Sequence, residues 1–344
     1  MSSHVRSTPV ETAHGAHAVL EIATGLWRTQ TLVAALEIGL FEFLTGDGLD
    51  VAETSRAAGI EERPADVLLT ACTALGLLVR EKGRYRLGPE ATQYLVPGRS
   101  DYLGDYVRML HEYANPGWIR AGSAVKSNFP SKVIPNYEKN MFDVGQRPDF
   151  FWDGLFAYST ITARALVGAI DLSGARLLDV GGGTGAFVIE LCRSFPDLVA
   201  TVYDLPHVCD KATEKISTAC LADRINTKPG DFFDEELPSG YNTMLLSMIL
   251  HDWDESTNGA LLEKCFRALP PGGRVLVSEL ILDDDRTGPL DAALMSMNML
   301  VGTWGRNYTE SEYVGWLQEA GFREVRTVRY DGAGANGVLV GVKP

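Results

Sequence analysis

The sequence predicts a two-domain protein, in which a mostly helical N-terminal domain precedes a doubly wound α/β domain with an antiparallel C-terminal hairpin. The chain has 344 residues, about twice the usual size of one domain. Apolar residues recur at helical spacing up to about residue 110, and short apolar runs alternate with helical stretches from about residue 175. A glycine-rich turn follows the first of these apolar runs.

Composition excludes several classes of protein. The chain has 31 Lys and Arg against 45 Asp and Glu, a net charge of −14. We therefore expect no nucleic-acid partner and no anionic membrane partner. The longest uncharged apolar run is roughly a dozen residues, where a membrane span needs about 20. The N-terminus lacks the layout of a signal peptide, and the 5 cysteines form no CxxC pair, so we expect free thiols and a cytoplasmic protein.

The first domain is predicted from local signals. Residues 1–15 are polar and are expected to be disordered. The turn Lys82-Gly83 separates two short alternating segments and indicates a hairpin. Helices are predicted before it at 26–36, 40–44, 51–59 and 63–78. Short helices followed by a hairpin are typical of a winged helix, so residues 16–110 are interpreted as a winged-helix-like domain.

A winged helix often binds DNA, which gives a non-enzymatic alternative. Between residues 50 and 90 there are acids and bases in nearly equal number, and the helix from Arg63 is mostly apolar. A DNA-binding face needs cations concentrated on this helix and the hairpin. Dimerisation is the favoured interpretation, and a ligand-responsive regulator is the alternative.

The remaining chain divides into a linker and the α/β domain. Residues 111–170 look helical and rich in aromatic side chains, and are expected to contribute to an apolar pocket as well as to the core. Residues 171–344 form the second domain. Its strands are predicted at 176–180, 199–204, 243–248 and 274–279, with a closing hairpin from 325–330 and 337–342.

The glycine-rich turn is the strongest signal for a ligand. It spans 177–186, between a strand and a helix, and Asp204 follows at the end of the next strand, where an acid can accept two ribose hydroxyls. Gly181, Gly183 and Ala186 also fit a nicotinamide-dinucleotide fingerprint. A tight turn without any ligand is a further interpretation.

Two acids favour a different nucleotide. Asp179 lies two residues before the first glycine, where a carboxylate suits an amino group better than a pyrophosphate. Asp231 and Phe232 follow another strand-like segment and could hold an adenine. An aminoacyl nucleoside with a positive sulfur therefore fits this turn better than a dinucleotide does.

His251 is the candidate base. It follows an apolar strand and turn and precedes Asp252-Trp253. An imidazole with a near-neutral pKa can remove a phenolic proton, although a single histidine is more often structural.

Together, these motifs carry a family resemblance. The segments 179–185, 204–208, 230–233 and 251–253 closely resemble the S-adenosylmethionine-dependent O-methyltransferases, in the branch of the plant caffeic acid and flavonoid enzymes and the bacterial antibiotic-tailoring enzymes. The resemblance covers nearly the whole chain. It implies a Rossmann-like methyltransferase domain, S-adenosylmethionine as cofactor, a homodimer formed through the N-terminal domain, and a small aromatic acceptor from secondary metabolism.

The resemblance also implies residue roles. The glycine turn would hold the methionine part of the cofactor, Ser159 its carboxylate, Asp204 the ribose, and Asp231 the adenine. Ser247 occupies a position where plant members carry a cofactor-contacting lysine. The predicted cofactor-binding residues are Ser159, Asp179, Gly181, Gly183, Asp204, Leu205, Asp231, Phe232, Ser247 and Trp253.

For catalysis, the resemblance makes His251 the general base and Glu279 the acid that orients it. Asn307 occupies the place of a second acid, usually Glu, and an amide can orient a ring nitrogen without adding charge. Methylation at carbon or nitrogen, for example beside a keto acid, is therefore the alternative. No metal is expected. The predicted acceptor-binding residues are His111, Phe151, Met248, Asp252, Met295, Met299 and Trp304.

Overall fold

A computed structural model describes residues 11–131 and 147–344, with side chains from residue 15. It divides into two compact units, residues 1–104 and 105–344. Of the segment predicted to be disordered, residues 1–10 lie outside the described residues. Residues 11–15 correct that prediction, because the first helix, α1, begins at Glu11. The segment from Glu11 to Ala23 is rich in alanine, a strong helix former.

The N-terminal unit is a set of helices followed by a hairpin. Asp50 and Glu53 form a capping box at the start of α4, and Gly59 ends that helix in the left-handed conformation. The elements are α1 Glu11–Ala23, α2 Gly25–Glu37, α3 Leu40–Phe43, α4 Val51–Ala58, α5 Glu62–Ala74, β1 Leu78–Glu81, β2 Arg84–Leu87 and α6 Pro89–Tyr94. The helix predicted at 63–78 ends at Ala74, because Gly76 adopts a φ of +79° and Leu78 pairs with Leu87.

The C-terminal unit opens with helices. They are α7 Gly104–Met109, a π-helical turn Leu110–Ala114, α8 Asn115–Trp118, α9 Ala121–Ser127 and α10 Asp149–Val167. The linker predicted to be helical includes residues 132–146, which lie outside the described residues. Among the helices that the structure describes, none is both long and apolar enough to cross a bilayer.

A seven-stranded sheet forms the rest of this unit. Its elements are β3 Arg176–Val180, α11 Ala186–Ser194, β4 Val199–Asp204, α12 Pro206–Thr218, β5 Ile225–Pro229, β6 Thr243–Ser247, a 3-10 turn Leu250–Asp252, α13 Glu255–Ala268, β7 Arg274–Glu279, α14 Leu290–Gly302, α15 Glu310–Glu319, β8 Arg323–Arg329 and β9 Gly337–Val342. The strand order is β5-β4-β3-β6-β7-β9-β8. The first five strands of this order are parallel, and β9 lies antiparallel between β7 and β8.

Helices cover both faces of the sheet. Leu166, Val188 and Ile216 from α10, α11 and α12 belong to one buried cluster, and Leu262 and Leu317 from α13 and α15 belong to the other. Because both faces are buried, the central strands are continuous apolar runs. The strand order reverses between β3 and β6, and ligands of such sheets bind at the carboxyl ends of the strands beside this reversal.

Candidate active site

A cavity of about 250 Å³ opens at the carboxyl ends of the parallel strands. Four carboxylates line it, from Asp179, Asp204, Asp231 and Asp252, and its described lining includes no Lys or Arg. The other side is apolar and comes from α7, the π-helical turn, α10 and α14. These apolar residues include Met109, Leu110, Phe151, Leu155, Met295 and Met299. The cavity thus joins an acidic, glycine-rich half to an apolar half.

The glycine-rich turn forms the floor of the acidic half. Gly181 has a φ of +69°, and a Cβ at this position would lie 2.5 Å from Cδ1 of Ile249. The positive φ strains any L side chain at this position, and a Cβ would also displace the Ile249 methyl, so glycine is favoured here. Asp179 lies beneath the turn and is 1% exposed. Its Oδ2 has no hydrogen-bond partner among the described residues. Burial, and then the nearby Asp204 carboxylate, raises the pKa of Asp179 to about 8.

Asp204 ends β4 beside this turn. One of its oxygens accepts the N–H of Gly183 at 2.8 Å and the other accepts the N–H of Leu205 at 2.7 Å. Desolvation raises the pKa of Asp204 to about 6, although these two N–H donors act to lower it. Each carboxylate oxygen keeps a further lone pair, so Asp204 can still accept two hydroxyl donors.

The loop after β5 completes the acidic half. Asp231 accepts the N–H of Phe233 at 2.8 Å, which fixes the loop locally. Lys264 of α13 donates to the carbonyls of Phe232, Phe233 and Glu235 at 2.7, 3.1 and 2.7 Å. One ammonium group therefore holds the loop that presents Asp231 and Phe232 to the cavity.

His251 and Glu279 form a buried pair at the junction of the two halves. His251 Nδ1 lies 2.8 Å from Oε2 of Glu279, and Oε1 of Glu279 accepts the N–H groups of Ile249 and Leu250. An ionised carboxylate can only accept, so Nδ1 carries the proton and Nε2 is the basic nitrogen of the neutral ring. Burial acts to lower the pKa of His251, but the charge and hydrogen bond of Glu279, with the charge of Asp252, raise it above its ordinary value.

The turn that carries His251 is fixed from several sides. Met248 adopts a φ of +57°, which redirects the chain as it leaves β6. Asn258 of α13 donates to the carbonyls of Leu250 and Trp253 at 2.8 and 3.2 Å. The Tyr308 hydroxyl also donates to the carbonyl of Trp253, at 2.6 Å. The imidazole is thus held by its backbone as well as by Glu279.

Most of the predicted site residues line this one cavity. The predicted cofactor residues in its wall are Ser159, Asp179, Gly181, Gly183, Asp204, Leu205, Asp231, Phe232, Ser247 and Trp253. The predicted acceptor residues in its wall are Phe151, Met248, Asp252, Met295 and Met299. Ser247 presents a buried hydroxyl with no described hydrogen-bond partner.

Two predicted acceptor residues, His111 and Trp304, are absent from the cavity wall. In the π-helical turn Leu110, Tyr113 and Ala114 face the cavity, so His111 lies on another side of that turn. Trp304 follows the end of α14 at Gly302, is 46% exposed, and packs edge-on against Phe129.

Asn307 also lies away from the cavity wall and is not a partner of the His251 ring. Its side-chain amide donates to the carbonyl of Leu280 at 2.7 Å, and its backbone N–H donates to Ser296. Leu280 directly follows Glu279, so Asn307 supports the chain beyond β7. Its side-chain oxygen is buried without a hydrogen-bond partner among the described residues.

Three polar residues around the cavity were missed by sequence reasoning. Asn298 lines the cavity on α14 and accepts a hydrogen bond from Trp118 Nε1 at 3.0 Å. Its spacing of three from Met295, on a mostly apolar helix, was an available signal. Lys264 and Asn258 act on backbone carbonyls far away in sequence, so no local pattern could have identified them.

Comparison with known proteins gives two family matches. Residues 133–323 match the model of an O-methyltransferase domain, and residues 20–97 match that of an O-methyltransferase dimerisation domain. The two matches lie in the order in which the helical and the α/β regions occur in the chain.

Individual relatives extend over nearly the whole chain. It is 59% identical to 3-hydroxy-5-methyl-1-naphthoate 3-O-methyltransferase of Streptomyces sahachiroi, over 94% of each protein. It is 32% identical to the tetracenomycin polyketide synthesis 8-O-methyltransferase of Streptomyces glaucescens, over 98% of this chain and 99% of the relative. Human N-acetylserotonin methyltransferase, solved in complex with S-adenosylmethionine, has a TM-score of 0.86 at 29% identity, over 98% of this chain and 99% of that one.

Proposed function

Because this chain belongs to the O-methyltransferase family with an N-terminal dimerisation domain, we propose that it methylates a ring hydroxyl of a hydroxynaphthoate-like acceptor. The enzyme uses S-adenosylmethionine, as its structural neighbours do. The acceptor class rests on the 59% identical naphthoate O-methyltransferase and on the apolar half of the cavity. We further propose that the enzyme acts as a homodimer.

The acidic half of the cavity fits the cofactor. When bound, S-adenosylmethionine supplies an electrophilic methyl group on a positively charged sulfur. Asp179 offers a buried carboxylate oxygen without a partner to the amino group, and Asp204 offers two free acceptor positions to the ribose hydroxyls. Ser159 would take the cofactor carboxylate, while Asp231 and Phe232 would enclose the adenine.

The single observation that carries the mechanism is the His251–Glu279 pair at the junction of the two halves. Glu279 holds the ring through Nδ1, so Nε2 is the nitrogen that removes the acceptor's hydroxyl proton. The apolar walls exclude water and hold a flat ring so that its oxygen faces the methyl donor. Asp252, whose Oδ1 is 3.9 Å from Nε2, stabilises the imidazolium that results.

Methyl transfer to a defined acceptor tests the proposal. The protein is incubated with S-adenosylmethionine and 3-hydroxy-5-methyl-1-naphthoate, and the product is identified by mass spectrometry and NMR. We expect one added methyl group, on the ring oxygen. A methyl group on carbon or on the carboxylate, or no product at all, would contradict the proposal.

The cofactor assignments are tested separately by calorimetry. Asp204→Ala is expected to weaken S-adenosylmethionine binding about tenfold or more, because two hydroxyl hydrogen bonds to a carboxylate are lost. The exposed Asp210→Ala on α12 is the control and should bind as the wild type does. If Asp204→Ala binds S-adenosylmethionine as tightly as the wild type does, Asp204 does not contribute to cofactor binding.

A further inference from the structure

Helix α14 places one amide in the apolar half of the cavity. Its residues in the described cavity wall are Met295, Asn298 and Met299, and of these Asn298 is the polar one. The helix also contacts the 3-10 turn that carries His251. Just beyond α14 the chain lies so close to this turn that a Cβ at Gly305 would collide with the carbonyl oxygen of His251. The amide is therefore carried by an element that packs against the turn of the proposed base.

Trp118 of α8 determines how this amide is oriented. Its indole Nε1 donates to Oδ1 of Asn298 at 3.0 Å. An indole nitrogen can only donate, so the amide atom that faces it must be the oxygen. Trp118 is not part of the described cavity wall, whereas Asn298 is. The oxygen end of the amide is therefore bound by a residue behind that wall.

The nitrogen end of the amide is directed to the cavity wall itself. Nδ2 of Asn298 donates to Sδ of Met295, a cavity residue, at 3.7 Å. A thioether sulfur is a weak acceptor, and an amide nitrogen carries two hydrogens. The apolar half of the cavity thus includes a neutral N–H donor that can form a stronger hydrogen bond with an oxygen of a bound molecule.

The charge of the cavity favours one kind of oxygen for this donor. Four carboxylates line the cavity, and its described lining includes no Lys or Arg. An acceptor that carries a carboxylate enters against this negative charge and needs a donor that offsets the repulsion. A hydrogen bond from an amide to an ionised oxygen is stronger than one to a neutral oxygen. The amide of Asn298 therefore favours an acceptor with a carboxylate over a neutral phenol.

From these contacts we propose that Asn298 donates Nδ2–H to the carboxylate of the acceptor, and that Trp118 is the positioning residue that keeps the amide in this orientation. The inference rests on the proposed acceptor class. Without the indole donor the amide can turn over, and its oxygen would then face the carboxylate and repel it. With the donor in place, Asn298 holds the acceptor at its carboxylate while His251 removes the proton from its hydroxyl.

Two acceptors test the role of Asn298. The probes are 3-hydroxy-5-methyl-1-naphthoate and 8-methyl-2-naphthol, which is the same ring system without the carboxylate. Asn298→Leu is expected to lower kcat/KM for the naphthoate about 10- to 100-fold, mainly through KM, and that for the naphthol less than threefold. Asn298→Asp, which puts an oxygen in place of the nitrogen, should lower kcat/KM for the naphthoate at least as much. Equal losses on both acceptors, or no loss on the naphthoate, would overturn the inference.

A double-mutant cycle tests the role of Trp118. Trp118→Phe removes the N–H donor and keeps an aromatic ring, and it should lower kcat/KM for the naphthoate about three- to tenfold. Combined with Asn298→Leu it should cause no further loss, because Trp118 acts through the amide. The control is Trp316→Phe, the same substitution at a half-buried tryptophan outside the described cavity wall, with less than a threefold effect. Losses that add in the double variant would refute the positioning role.

Binding of S-adenosylmethionine to each variant, measured by calorimetry, verifies that its site is folded. If the wild type methylates neither acceptor, the proposed function fails, and equilibrium binding of 1-naphthoate then decides the role of Asn298. A Kd that Asn298→Leu raises about tenfold or more would support the carboxylate contact. An unchanged Kd, or no binding of 1-naphthoate to the wild type, would refute it.

Discussion

The variant Asp179→Asn separates the stability of the protein from its affinity for the cofactor. The carboxyl of Asp179 has a pKa of about 8 in the folded chain against an ordinary 3.8. The folded chain therefore holds this proton more tightly than the unfolded chain does. Between these two values the unfolded chain binds fewer protons, so the free energy of unfolding falls as pH rises through this window.

The size of the effect follows from the displacement of the pKa. At about 1.4 kcal/mol per pKa unit, a shift of about four units sets an upper limit of about 6 kcal/mol. Relaxation of a real protein interior reduces such penalties, and we expect roughly 1–3 kcal/mol near pH 8. That corresponds to a Tm about 2–10 °C higher for Asp179→Asn than for wild type. At pH 5, about one unit into the window from 3.8 to about 8, the difference should be about a third as large.

The assay is thermal unfolding at pH 5 and pH 8, with and without S-adenosylmethionine. Saturating cofactor should stabilise the wild type strongly at pH 8 and the variant much less, because the amide cannot offset the positive charge of the amino group. Asp210→Asn, the same substitution at an exposed position, is the control. The reasoning is refuted if the variant is the less stable protein at pH 8, or if cofactor stabilises both proteins equally.

Three further predictions concern residues that hold the site in place. Glu279→Gln should lower the pKa of His251, because a negative charge beside the ring is lost. The ascending limb of the pH–rate profile should then move to lower pH, and kcat should fall about 10²- to 10⁴-fold. A limb that does not move would show that the titration of His251 does not control the rate. Lys264→Met removes three hydrogen bonds to the loop 232–235, and it should raise the Kd of S-adenosylmethionine several-fold with little change in kcat, as measured by calorimetry and initial rates. Asn258→Ala removes both hydrogen bonds to the turn that carries His251, and chemical denaturation should show a loss of about 1–3 kcal/mol.

The architecture was predictable because its signals are local. The apolar runs at 176–180, 199–204 and 274–279 are strands with those bounds. Gly59 ends its helix as predicted. The helix predicted at 63–78 ends four residues early, at Ala74. This early end is a tertiary effect, because Leu78 pairs with β2 and is therefore part of a strand.

The cofactor half of the site was predictable because each of its acids lies at, or just beyond, the carboxyl end of a strand. Parallel strands bring their carboxyl ends to one edge, so Asp179, Asp204 and Asp231 converge although they are far apart in sequence. The acceptor half was harder to predict, because it depends on which side of each helix faces the cavity and on where each helix ends. His111 lies on another side of its turn, and Trp304 lies beyond the end of α14, so neither lines the cavity.

The measurement that tests the account most directly compares wild type with His251→Asn on the proposed acceptor. S-adenosylmethionine should bind both proteins with the same Kd, since His251 serves the acceptor and not the cofactor. Single-turnover methyl transfer should be at least about 100-fold slower in the variant, and its rate should lose the pH dependence of the wild type. A variant that transfers the methyl group within a few-fold of the wild-type rate would contradict the assignment of His251 as the base.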